Sequence, residues 1–320
     1  MDRGVASPRA SRPEILPAEW PTIVLAAGIY GGWGALTYWH ASLPSIVVAV
    51  AGAWLAAWHS SLQHELIHGH PTRCGWLNAA IGGLPLLLWL PFDRYRAMHL
   101  THHRDERLTD PLDDPESAYV EPQRWRRLSP PARALIAAQG TLLGRLILGP
   151  PWRAGRFLLG EAKAVVAGKP GYREAWAQHL VGVALVLTWL VVVCRMSLWF
   201  YVLTIAYPGT SLILIRSFAE HRAAGPVRQR TAIVENGGAL GLLFLFNNLH
   251  AAHHERPSLP WYALPGWYRS HRERLLAANG GLVYRGYGEV FRRFLLRRHD
   301  APVHPLGRIA PSEEVEAADA

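Results

Sequence analysis

Imidazole is the side chain with the most chemistry to offer in this sequence, and its placement is patterned. The 320 residues include 16 histidines. Eight of them form three clusters: His64 with His68; His99, His102 and His103; and His250, His253 and His254. The first pair is spaced i, i+4 and shares one helical face. Each of the others reads HxxHH, which on a helix sets the outer two rings one turn apart with the third beside them. Imidazole suits zinc, copper, iron and nickel, so ligand type alone does not choose the metal. Number constrains it more, because a zinc ion ordinarily takes four ligands. A centre of more than one ion with open positions remains, and iron is the metal whose redox chemistry gives such a centre an oxygen-activating purpose. Helix-bundle di-iron proteins rely on Glu and Glu-x-x-His ligands, so this would be a different, histidine-rich solution.

Each cluster also has a plainer reading, since amphipathic helices place histidines at interfaces without any metal. Three clusters on one side of a membrane weigh against that. His64-Glu65-Leu66-Ile67-His68 further matches HExxH, the zinc-protease signature with glutamate as general base. That reading uses two histidines and leaves both HxxHH clusters idle. His59 lies off the His64 face, and His70, between Gly69 and Pro71, reads as loop. His40, His179, His271, His299 and His304 stand outside the pattern, with His299 in a polar region remote from the clusters. A ligating imidazole normally donates its other N–H to a neighbouring acceptor. Glu65, Asp105, Glu106, Glu220 and Glu255 are the adjacent carboxylates.

The elements that must carry these clusters are membrane elements. Half of the residues are hydrophobic, only 18% are charged, and the mean hydropathy is slightly positive, which excludes disorder and disfavours a simple soluble protein. Four stretches approach the roughly 20 helical residues that span a bilayer core: 20–39, 43–63, 179–195 and 197–217. The short breaks around Pro44 and Arg195 make each pair a tight hairpin. The expected fold is therefore all-α, with four transmembrane helices in two hairpins and a helical cap holding the histidine boxes. Basic residues crowd the segments after each hairpin, from Arg73 to Arg127 and from Arg216 to Arg230, whereas the hairpin tips carry one arginine. Both termini and the metal site are accordingly expected in the cytoplasm. The net charge of +9 is almost wholly guanidinium, since Lys163 and Lys169 are the only lysines. Lying between apolar runs and without a nucleic-acid motif, these arginines suit lipid phosphate and exclude nucleic acid as the partner.

Shorter apolar segments complete the expected layout. Residues 77–92, interrupted by Gly82, Gly83, Pro85 and Pro91, should dip into or lie along the interface. Residues 134–148 and 157–167 read as two amphipathic surface helices, and 236–249 as a short apolar ramp. Residues 1–19 form a lead-in, 20–300 the membrane domain, and 301–320 a disordered tail. Cys74 and Cys194 build neither a zinc site nor a disulfide scaffold.

Taken together, His64-Glu-Leu-Ile-His-Gly-His70, His99-Leu-Thr-His-His103 and His250-Ala-Ala-His-His254, spread over the apolar spans, resemble the membrane fatty acid desaturase and hydroxylase superfamily. The resemblance covers residues 20–267. It implies two iron ions held by the boxes, O2-dependent desaturation or hydroxylation of an aliphatic substrate, and electrons from a separate ferredoxin, rubredoxin or cytochrome b5 type donor. It also implies a further ligand shortly after the last span, a place taken here by His221. Desaturation of a fatty acyl or related substrate is the expected activity, with hydroxylation as the alternative. The segment from Asn247 to Pro265 resembles bacterial members, some of which act on small amino-acid-derived substrates. A metal carrier would need polar residues through its spans, and these spans have very few.

Overall fold

The computed structural model describes residues 19–306. The expected lead-in, apart from Glu19, and residues 307–320 of the expected tail lie outside the described residues. The first hairpin is α1 (Trp20–Tyr38) and α2 (Ser45–Ile67). It is followed by the short helices α3 (Gly75–Gly82) and α4 (Phe92–His102), then α5 (Pro122–Arg127), α6 (Pro130–Ala138) and the long α7 (Leu142–Val166). The second hairpin opens with α8 (Tyr172–Leu187), extended by a π-helical turn over Thr188–Val193. It returns through α9 (Leu198–Tyr201), a π turn over Val202–Ala206 and α10 (Tyr207–Ala219). Beyond it come β1 (Ile233–Asn236), α11 (Gly238–Leu243), α12 (His250–Glu255), α13 (Leu264–Ala278), β2 (Val283–Gly286) and α14 (Tyr287–Phe294). The parallel pairing of β1 with β2 departs from a purely helical expectation. It closes the third box against the segment that follows it.

Among the described residues, three helices are long and apolar enough to cross a membrane: Ser45–Ile67, Tyr172–Val193 and Leu198–Ala219. The fourth expected span, α1, has 19 residues, about 28 Å of helix, but its glycines, tryptophans and tyrosines dilute its apolarity. Exposed Ile46 and Val50 on α2 and Leu180, Val181, Leu185 and Val192 on the second hairpin give these helices the outer face that lipid requires. Inside, small residues draw α2 and the second hairpin together. A Cβ on Gly209 would stand 2.8 Å from the Ala56 methyl, and one on Gly52 would stand 2.5 Å from Ile205. This contact sets the C-terminal ends of α2 and α10, which carry His64, His68 and His221, side by side.

Residues 83–91 are irregular backbone folded into the bundle, with Leu86 and Leu87 in the core. Such backbone survives at membrane depth only when protein groups take its carbonyls. Tyr201 donates to Leu86 O (2.7 Å), Gln63 to Gly82 O (2.8 Å), His179 to Leu88 O (3.0 Å) and Tyr30 to Ile81 O.

The two amphipathic segments expected at 134–148 and 157–167 require a correction. The chain breaks earlier, at Gly140, where Thr141 Oγ1 caps the Gly144 N–H (3.0 Å), and then runs as one 25-residue helix straight through Pro150 and Pro151. Two prolines inside a helix free the carbonyls four residues before them. Here Ser211 donates to Leu146 O (2.8 Å) and Tyr207 to Ile147 O, both from α10. Tertiary donors replace the missing N–H groups, which residue order alone does not reveal.

The chain also stays ordered past the expected start of the tail. The Val120 N–H donates to Pro302 O (2.8 Å), Val303 bridges Val120, and His304 is buried.

Candidate metal centre

The nine histidines singled out from sequence converge at the C-terminal ends of α2 and α10. They form two groups: His64, His68, His99, His103 and His253 in one, and His102, His221, His250 and His254 in the other. The HxxHH spacing explains the division. His99 and His103, one turn apart, face the first group, and the intervening His102 turns to the second. In the third box, His250 and His254 share the second group and His253 reaches back to the first.

In the first group the Nε2 atoms of His68, His99, His103 and His253 approach one another, while His64 Nε2 lies 3.2 Å from Asn247 Nδ2; in the second group all four Nε2 atoms approach one another. His99 Nε2 is 3.0 Å from His68 Nε2 and 3.0 Å from His103 Nε2, and His253 Nε2 is 3.1 Å from His103 Nε2. In the second group, His221 Nε2 lies 3.0 Å from His102 Nε2 and 2.9 Å from His250 Nε2, with His254 Nε2 3.2 Å from His250 Nε2. A zinc ion ordinarily takes four ligands, and five imidazoles in one group exceed that. Nine imidazole donors in two groups fit a pair of ions, iron among them.

The outward Nδ1 atoms complete the arrangement. His99 Nδ1 faces Glu116 Oε1 at 2.8 Å and His102 Nδ1 faces Asp114 Oδ1 at 2.9 Å. His250 Nδ1 lies 2.9 Å from Asn247 Oδ1 and, at ion-pair distance only, 3.3 Å from Glu220 Oε1, which stands 2.9 Å from Arg216 Nε in a further ion pair. Donation of these Nδ1–H groups fixes the tautomer that leaves Nε2 free to bind metal. Burial, followed by the neighbouring imidazoles, presses His103 down to about 3 and holds His250, His253 and His254 well below the ordinary range, so these rings are neutral. His102 is different. Burial opposes its charge, but Glu116 and Asp114 outweigh that and raise it to about 9.

Of the carboxylates expected beside the rings, Glu220 is found there. Glu255 is not: it forms a two-pronged pair with Arg274 at 2.6 and 2.9 Å. Glu106 is exposed, and the side chain of Asp105 lies outside the described residues. Glu65 is buried and accepts the Trp261 N–H at Oε2 (3.1 Å), tying the loop after the third box to α2. This contact and the five-imidazole group leave no room for the HExxH protease reading of box one. Asp114, Glu116 and Asn247 were not singled out from sequence. The signal for two of them was the acid-rich run Asp110-Pro-Leu-Asp-Asp-Pro-Glu116 after box two, too distant for an adjacency argument.

Asp114→Asn and Glu116→Gln are expected to weaken metal retention or turnover by about 10- to 100-fold each, while Glu106→Gln leaves both unchanged. Metal content after dialysis against a weak chelator measures this. Wild-type retention in the first two variants would mean that the Nδ1 contacts are incidental.

Helices long and apolar enough to cross a membrane thus carry at one end nine imidazoles in two groups that could hold metal ions. The profile of the fatty acid desaturase family matches residues 37–288, and the chain belongs to that family. Among curated proteins, a beta-carotene ketolase of a Paracoccus strain is 29% identical over 262 residues, covering 76% of this chain and 90% of the relative. A beta-carotene ketolase of a second Paracoccus strain is 26% identical over 231 residues, covering 68% and 77%.

Proposed function

We propose that this protein is a membrane-bound non-haem di-iron oxygenase that inserts oxygen at an unactivated C–H bond of a long apolar substrate, foremost a carotenoid-like polyene. The observation that carries the reading is the division of nine imidazoles into groups of five and four. When bound, the iron pair supplies O2 activation. The protein's part is positional: the nine imidazoles would hold both ions, Asp114 and Glu116 fix the tautomers of His102 and His99, and the apolar bundle around α2 and α10 admits a lipophilic chain while excluding water. Hydroxylation takes O2, an electron pair and two protons and releases water; a second round at the same carbon gives the ketone. The electrons come from a separate ferredoxin, rubredoxin or cytochrome b5 type protein, for which the arginine-rich face is the docking side. That face, both termini and the centre lie in the cytoplasm, with α1 as a fourth span.

The substrate class rests on the carotene ketolase relatives. The family's name favours a second reading, desaturation of an acyl chain. Expression in bacteria that accumulate β-carotene, followed by analysis of carotenoids and acyl lipids, separates them. New keto- or hydroxycarotenoids are expected. New acyl double bonds with unchanged carotenoids would transfer the assignment to the desaturase reading, and no change in either pool would remove both substrates.

A further inference from the structure

We infer that Arg230 is a positioning residue for one half of the metal centre: its single guanidinium locks the outer supports of both His102 and His221. Arg230 is 2% exposed and ranks with the largest fully buried side chains. Its Nη1 donates to Leu108 O (2.9 Å), its Nε to Ala224 O (2.8 Å) and its Nη2 to Gly225 O (2.9 Å). The fork thereby clamps the segment after box two to the loop after His221. Lysine, a point donor, could not serve three carbonyls in one plane.

Both clamped segments lead to the second imidazole group. Thr109, next to Leu108, sits in the left-handed region at φ 70°, a conformation that a β-branched residue holds only when its surroundings impose it. Its N–H donates to Asp114 Oδ2 (2.9 Å), and Asp114 Oδ1 faces His102 Nδ1. On the other side, the backbone carbonyl of Arg230 itself accepts from His221 Nδ1 (3.3 Å) and from the Arg222 N–H (3.0 Å), and Thr231 bridges His221. The two rings so supported meet at 3.0 Å through Nε2. The five-imidazole group depends far less on this clamp. Only His99 is reached through the same loop, by way of Glu116, whose N–H rests on Asp114 Oδ1 (2.9 Å).

The inference rests on the two-ion reading, and the experiment separates the two. Metal content is measured for the purified wild type, Arg230→Met, Arg230→Lys, and Arg228→Gln at an exposed neighbour. About two ions are expected in the wild type and in Arg228→Gln; fewer in the wild type would overturn the two-ion reading and the inference with it. Arg230→Met is expected to bind its second ion about 10- to 100-fold more weakly, leaving about one ion per chain at limiting metal. Combining it with His221→Ala should remove no further ion, whereas combining it with His68→Ala and His103→Ala together, which leave the first group three imidazoles, should empty the site. If Arg230→Met is lost from the membrane, Arg230→Lys is read in its place, with the same loss of one ion expected. Retention of both ions at wild-type affinity would overturn the inference. Equal loss of both ions, or failure of both variants to accumulate, would do the same by showing a general structural role.

Discussion

His221→Ala is expected to insert and fold but to carry one metal ion in place of two, with turnover reduced by more than about 100-fold, the upper range for loss of a mere supporting contact. The reason is geometric. His221 Nε2 is about 3 Å from both His102 and His250 Nε2, so one substitution opens the smaller group of four at its middle. The comparison residue must be truly remote. His299, expected from sequence to be such a residue, is packed against Phe218 and Phe294, with its Nε2 2.7 Å from the Tyr284 hydroxyl. His299→Ala should therefore cost stability, and exposed Arg269→Gln is the proper control. Metal content and turnover measured in parallel decide the matter. Equal, near-wild-type values for His221→Ala and the control would take His221 out of the centre.

Removing the metal is expected to abolish turnover altogether and reversibly. Strong chelation followed by anaerobic addition of ferrous iron should restore activity at about two ions per chain, whereas zinc should occupy the imidazoles without turnover, having no redox chemistry to offer. Because neutral imidazoles rather than carboxylates form both groups, the stripped protein should bind the soft and borderline metals in preference to magnesium or calcium. Full activity with zinc, or with a single equivalent of iron, would sink the di-iron proposal.

The carboxylates show where sequence reasoning reached its limit. Adjacency nominated five, and the structure sets Glu220 beside His250 Nδ1 while turning Glu255 to Arg274. On a short helix the residue next to a ligand points about 100° away from it. Support for an inward ring therefore comes from another segment more readily than from its neighbour. Asp114 and Glu116 arrive from a loop 12 and 17 residues along the chain from His102 and His99, held by a left-handed Thr109 and by Arg230. No periodicity announces such a loop.

Residue order by itself determined the parts that depend on local periodicity and bulk transfer energy. Apolar runs of span length must leave water, and histidines one turn apart must share a face. Eight imidazoles could thus be named, and a helical membrane bundle around them expected, from residue order; the ninth, His221, is added only by the family resemblance. The tertiary structure decided what depends on groups distant in sequence. It brought the first box and His221 side by side through the close approach of α2 and the returning half of the second hairpin at Gly52 and Gly209. It carried α7 through two prolines because Ser211 and Tyr207 take the freed carbonyls. It also chose which acids and which buried arginine hold the rings. A hydrogen bond is a matter of a few tenths of an ångström, and only packing across the whole bundle sets distances that fine.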